Sequence, residues 1–356
     1  MIYYRTMSLE TSARAWPHAV RNELPKLHDI RRLLHDRPDL NKDYMKVLRR
    51  TVMNAVPGWL GLGRMTEKNQ QDTMAFVNGE NSVPIADKYQ FIEIVNAMGY
   101  RAPKQRLIKA NQQIANVVGT LSDFEDTVLI KPRKGAQGGG VRVVGKKQAE
   151  PLIQNQKDDL IVQELVSTTS EYRYVWLNEE ERKLRLCFER VLPRVIGDGK
   201  SSIQKLLQKS DDIPPVAKAI NAYRNRKRLN TIPSNGDTIV LSHVANIPSG
   251  GYEKYPDEKI IPNIDRFFEQ FINDLQSKRG LNLLLLSFDF GVIDSTVLEG
   301  EYDFEKMKQN VVFFESQMPF GFEGYTMHIP NTSIKDKIRT EIGFLGEIIK
   351  TRNKRA

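Results

Sequence analysis

With 356 residues, 40% of them hydrophobic and 27% charged, the chain has the make-up of an ordinary globular protein of roughly two or three lobes, with no internal repeat and no low-complexity tract. Its formal charge of +9 is confined to the ends: residues 1–75 carry 13 Lys/Arg against 8 Asp/Glu, residues 331–356 carry 7 against 3, and 76–330 is balanced. The single cysteine, Cys187, excludes an intramolecular disulfide and fits a reducing compartment, so the cytoplasm is the expected location. No apolar signal region is present at the N-terminus, and the most apolar run, LNLLLLSF at 281–288, is too short to cross a bilayer.

Taken in chain order, residues 41–56 place Tyr44, Val47, Leu48, Thr51, Val52, Ala55 and Val56 at helical spacing, with Pro57 ending the run. Segment 57–84, which contains VPGWLGLG and NGENSVP, reads as a loop-rich connection. Asp87 is the expected N-cap of a helix through FIEIVNAM, with Gly99 just past its end. Strand patterns follow at 105–108, 127–131, 141–145, 160–163, 172–177 and 183–191, the last two joined as a hairpin through Asn178–Glu181. Helical patterns occupy 146–154, 201–208 and 262–279, and Ser201 with Gln204 fits a capping box. The order predicts an α+β fold with mostly antiparallel sheet.

The stretch VLIKPRKGAQGGGVRVV, 128–144, has a composition suited to an anion. Gly135, Gly138, Gly139 and Gly140 let backbone N–H groups approach phosphate oxygens without a Cβ in the way, while Lys131, Arg133 and Lys134 supply positive charge. It is not a Walker A loop, because GxxxxGK[ST] is absent and the loop joins two strands. Taken alone, it reads more readily as a flexible basic turn than as a phosphate site.

Features on both sides of the loop resemble the ATP-grasp superfamily, and within it the ATP-grasp domains of cyanophycin synthetases and bifunctional glutathione synthetases. They comprise Asp87-Lys88 at a helix start, Lys131-Pro132 with the glycine loop, VQELV at 162–166, Glu171 with Arg173, FERVLPRVIGDGKSSIQKLL at 188–207 and HVANIPSGG at 243–251. Together they span about residues 85–320. The resemblance implies an ATP-grasp fold, two α+β lobes clasping ATP, over 85–330, with a helical basic region and linker at 1–84 and a basic helix or tail at 331–356.

It also implies roles. Lys88 and Lys131, with Lys134, Gly138, Gly139 and Gly140 of the loop, would hold the nucleotide. Glu164 and the backbone at Leu165 and Val166 would form the adenine edge, Glu171 would take the ribose hydroxyls, and Arg173 fits the same motif. Arg190 and Lys200 would be the catalytic cations, stabilising charge on a transferred phosphoryl group and an acyl intermediate. Asn246, Gly250 and Gly251 fall on the substrate side. Mg²⁺ would accompany ATP, held by Asp289 and Glu315, each preceded by a strong strand signal, and by Gln317. Gln317 departs from the asparagine of the family pattern. Ser287 stands where the D-alanine–D-alanine ligase branch has an arginine, and Asp294 is an alternative ligand at the start of a loop at 295–310.

The expected activity is that of an ADP-forming carboxylate–amine ligase working through an acyl phosphate on an amino acid or peptide. Only 26 residues follow position 330 and about 80 precede Asp87, so a stand-alone ligase is expected. Two alternatives stay open: a catalytically altered member serving as a nucleotide-, nucleic-acid- or acidic-partner-binding module through its basic ends, and an ATP-grasp kinase.

Overall fold

A computed structural model describes residues 71, 74–75, 78–110, 119, 121–133, 140–154, 157–178, 183–213, 215–242 and 251–317. The expected helix at 41–56, residues 1–70 and 331–356 of the basic ends, and the residues Lys134, Gly138, Gly139, Asn246 and Gly250 lie outside them.

Helix α1 (Val83–Ala86) leads through Asp87 into α2 (Lys88–Ala97). Asp87 caps α2 as expected: its side chain accepts hydrogen bonds from the Tyr89 and Gln90 amides, satisfying donors that the first turn leaves open. Gly99, at φ +78°, takes the left-handed position past the helix end. Within 57–84 the loop expectation gives way to a 3₁₀ turn at Glu80–Ser82 and to α1. The reason is tertiary. The buried Asn78 carboxamide donates to the Leu285 carbonyl and accepts from the Leu284 and Leu285 amides, standing in for a neighbouring strand.

Strands β1 (Gln105–Ile108), β2 (Thr127–Pro132), β3 (Arg142–Gly145) and β4 (Leu160–Glu164) form a four-stranded sheet in the order β1-β4-β2-β3. Helix α3 (Lys146–Gln154) covers it, with Ala149 and Ile153 packed among Val128, Ile130, Leu160 and Val162. Strands β5 (Ser170–Asn178) and β6 (Lys183–Val191) pair antiparallel. Beyond them, β7 (Arg194–Ile196) and β8 (Thr238–Val240) make a two-stranded ribbon beside α4 (Ile203–Lys209) and α5 (Pro215–Arg224). Ser202 caps α4, accepting from the Lys205 amide. The expected box on Ser201 is displaced by one residue, because the Ser201 amide is already committed to the Asp198 carboxylate.

After β9 (Tyr252–Lys254) comes the long helix α6 (Ile261–Arg279), then β10 (Leu285–Val292), α7 (Phe304–Asn310) and β11 (Val311–Gln317). The expected loop at 295–310 contains α7 and a 3₁₀ turn at Ser295–Leu298. The five-stranded sheet runs β11-β10-β5-β6-β9, and every described strand pair is antiparallel. The α+β antiparallel architecture is therefore the one expected.

On α6, Ile264, Phe267, Phe268, Phe271, Ile272 and Leu275 recur at helical spacing and are fully buried. They meet the sheet face carrying Tyr172, Tyr174, Phe288, Phe290 and Phe313. The Phe268 ring stacks on Tyr174 at 4.3 Å and on Phe288 at 5.4 Å. Burying each such ring contributes about 1.5–3 kcal/mol, so this layer dominates the stability of the fold.

Candidate active site

Alternation along a strand sends odd and even residues to opposite faces. The face of the five-stranded sheet turned away from α6 therefore carries Glu171 and Arg173 of β5, Arg190 of β6, Glu253 of β9, Ser287, Asp289 and Gly291 of β10, and Glu315 and Gln317 of β11. Register aligns them in two rows. Asp289 sits opposite Arg173 on one side and Glu315 on the other, and Arg190 sits between Glu171 and Glu253.

The side chains interlock. Asp289, 1% exposed, accepts from Arg173 at 2.7 and 3.0 Å and from Arg190 Nη1 at 2.8 Å. Arg173 also reaches the Glu253 carboxylate at 3.1 Å. Burial pushes the Asp289 carboxyl up, but the Arg173 and Arg190 guanidinium groups outweigh it and hold the group well below the usual carboxylate range. Burial pushes Glu171 up, with Arg190 opposing and Asp289 adding to the rise.

A second group of charges meets this edge from the other sheet. Lys131 on β2 is 7% exposed, and its ammonium is pushed down to about 8 by burial, with Glu315 opposing and Lys88 reinforcing the shift. Lys88, at the first turn of α2, lies 3.7 Å from the Glu315 carboxylate. Arg133 at the base of the glycine loop binds Asp87 at 3.0 Å, and its amide donates to the Asp159 carbonyl at 3.0 Å, so the loop is tied to the helix that presents Lys88. Gly140, the described end of the loop, has φ +80°, and a Cβ there would meet the Pro132 ring at 2.7 Å. Only glycine suits that close return.

Of the expected site residues, the structure gathers Lys88, Lys131, Glu171, Arg173, Arg190, Asp289 and Glu315. Gln317 ends β11 opposite Ser287. Glu164 ends β4, its amide bonded to the Lys104 carbonyl, with Leu165 exposed and Val166 half-buried. Its register partner is Val128, three residues along β2 from Lys131. Gly251 is buried directly before β9. Lys200 is exposed in a turn whose amides bind Asp198, and none of its described contacts reaches the charged rows. Asp294 is exposed and caps the 3₁₀ turn at Ser295–Leu298. Two participants escaped the sequence reading. Arg133 appeared only as a loop charge, and Glu253 lies on a three-residue strand too short for any periodicity to reveal.

Asp289 and Glu315, register partners across β10 and β11, offer hard oxygen donors that suit a divalent cation. Among the described residues no cluster of three or more His, Cys, Asp and Glu forms a self-sufficient metal site. Mg²⁺ takes one or two carboxylates and completes its shell with water and phosphate oxygens. The donor set fits, with Arg173 and Arg190 as competitors for Asp289.

No protein-family model matches the chain. In sequence it is 25% identical over 214 residues to a cyanophycin synthetase of Crocosphaera subtropica, covering 54% of this chain and 24% of that protein. The likeness is to the ATP-grasp superfamily. The chain thus spans about a quarter of the ATP-grasp relative it matches. Solved ATP-grasp structures are more distant. A bifunctional glutathione synthetase from Pasteurella multocida shares 16% identity, with 66% of this chain and 33% of that one covered at a TM-score of 0.37. A D-alanine–D-alanine ligase from Bacillus anthracis shares 9%, with 80% and 74% covered at 0.44. Scores this low carry no argument about chemistry, which rests on the residues themselves. Among the described residues no helix is long and apolar enough to cross a membrane.

Proposed function

We propose that the chain is an ATP-dependent carboxylate–amine ligase, with residues 85–330 as its catalytic unit and an amino acid or peptide as its substrate. The observation that carries this reading is the meeting of β2, α2 and β11, where a nearly buried lysine, a second lysine and a carboxylate converge beside a carboxylate–arginine row. A buried lysine beside a like charge is costly. An incoming polyphosphate would add counter-charge to Lys131, which is buried beside the Lys88–Glu315 pair.

Glu315 and Asp289 would hold Mg²⁺, which when bound neutralises phosphate charge. Lys131 and Lys88 would orient the triphosphate, and Arg190 would face the transferred phosphoryl group. A substrate carboxylate oxygen attacks the γ-phosphorus as its bond to ADP breaks. The amine nitrogen then attacks the acyl carbon, phosphate leaves with the bonding pair, and the nitrogen loses a proton. Fixed cations lower both barriers because both spread negative charge over oxygens. Glu171 would take the ribose, Glu164 with the Leu165 and Val166 backbone the adenine edge, Lys200 the acyl intermediate, and Gly251 the substrate side.

The test is mass spectrometry of products after incubation with Mg²⁺, ATP and a panel of amino acids and peptides. An amide product with one phosphate released per bond supports the reading. ATP bound without any product sinks it in favour of a nucleotide-binding module, which the double guanidinium hold on Asp289 favours. Phosphate retained on one substrate identifies a kinase.

A further inference from the structure

We infer that Glu253 is a positioning residue that receives the arginines displaced from Asp289 when a divalent cation enters, and so sets the metal affinity of the site; this rests on the ligase reading above. Its carboxylate is 4% exposed and holds Arg173 through Oε1, while Oε2 is buried with no hydrogen-bond partner. Directly across the β6–β9 pair stands Arg190, whose Nε–H is likewise buried and unpartnered. A vacant acceptor beside a vacant donor is an expensive arrangement. Here it coincides with a conflict, because both oxygens of Asp289 are taken by Arg173 and Arg190, and a metal ligand must surrender such bonds.

Arg190, only 12% exposed at its side chain, needs an acceptor for the group released from Asp289, and its register partners are Glu171 and Glu253. Glu253 supplies that acceptor. Arg173 already spans both carboxylates, so it keeps a partner when it lets go of Asp289. Arg190 faces Glu253 in register, and its free Nε–H matches the free Oε2. Arg173, Arg190, Asp289 and Glu253 thus form a four-member cluster across two rows, in which the cations shift toward β9 as a metal arrives near β10 and β11. Glu253 touches neither nucleotide nor metal in this scheme.

The experiment titrates the full chain with Mn²⁺ alone, followed by paramagnetic resonance of the free ion, and separately with ADP in EDTA by calorimetry. The variants are Glu253→Gln and Glu253→Asp. Glu253→Gln should weaken Mn²⁺ binding at least tenfold while ADP binding in EDTA holds or tightens, and Glu253→Asp should restore most of the metal affinity. Wild-type Mn²⁺ affinity in Glu253→Gln overturns the inference, as does a parallel loss of Mn²⁺ and ADP binding, the mark of a merely structural role. A wild-type protein that takes up no Mn²⁺ overturns it too. Failure of the ligase reading is told apart by the EDTA arm: wild-type protein that binds no ADP defeats that reading whatever Glu253 does.

Discussion

The two faces of the five-stranded sheet are made by the same strands under opposite rules. Against α6 lie Tyr172, Tyr174, Phe288, Phe290 and Phe313, with rings stacked or edge-on and almost no exposure. On the other face lie Glu171, Arg173, Arg190, Glu253, Asp289 and Glu315, paired through charge. The first face supplies stability at each contact. The second returns little, because desolvating buried ions offsets most of their attraction.

Breaking one partner of the charged face should have the largest effect. Asp289→Ala leaves Arg173 and Arg190 facing each other, and urea denaturation should register a loss of about 3–5 kcal/mol. Replacing Asp289, Arg173 and Arg190 together by Leu, Met and Met should recover most of that loss while abolishing ATP binding. A triple variant as unstable as the single one would mean that the ion row is structural. On the apolar face, Phe268→Ala should cost about 3–5 kcal/mol with no apolar replacement of its neighbours able to recover it.

Lys131→Met should act in the opposite direction. The folded state releases the Lys131 proton at about 8 and the unfolded chain near 10.5, so the unfolded state holds more protons across that window and stability rises with pH there. The cost is present in full below pH 8 and amounts to about 3 kcal/mol. The variant should therefore be more stable at pH 7 by up to that amount, and its stability should no longer climb between pH 8 and 10.5; denaturation at several pH values reads both. Smallest of all, Arg106→Ala removes an exposed pair with Asp123 at 3.2 Å and should change stability by less than about 1 kcal/mol.

Much of this was legible before the structure. The Asp87 cap, the strands around the glycine loop and the helix at 262–279 each follow from local chemistry, and Asp289 and Glu315 stood out as carboxylates in apolar runs. What was illegible depends on partners distant in sequence. Asn78 folds its segment onto strand residues about two hundred positions away. The register irregularity between Asp289 and Phe290 sets which β11 residue faces Asp289, and no pattern in either strand predicts it. Glu253 and the grip of Arg173 and Arg190 on Asp289 arise only when five strands assemble. Lys200 is exposed in the GDGK turn, and local sequence cannot tell whether such a turn borders a cleft.

The central claim is that Lys131, Lys88, Asp289 and Glu315 share one nucleotide. Calorimetric titration of wild-type protein and Lys131→Met with ATP and Mg²⁺ tests it most directly. Binding by the wild type and its loss in a variant that is folded and more stable is the predicted result; equal affinity in the two proteins would contradict it.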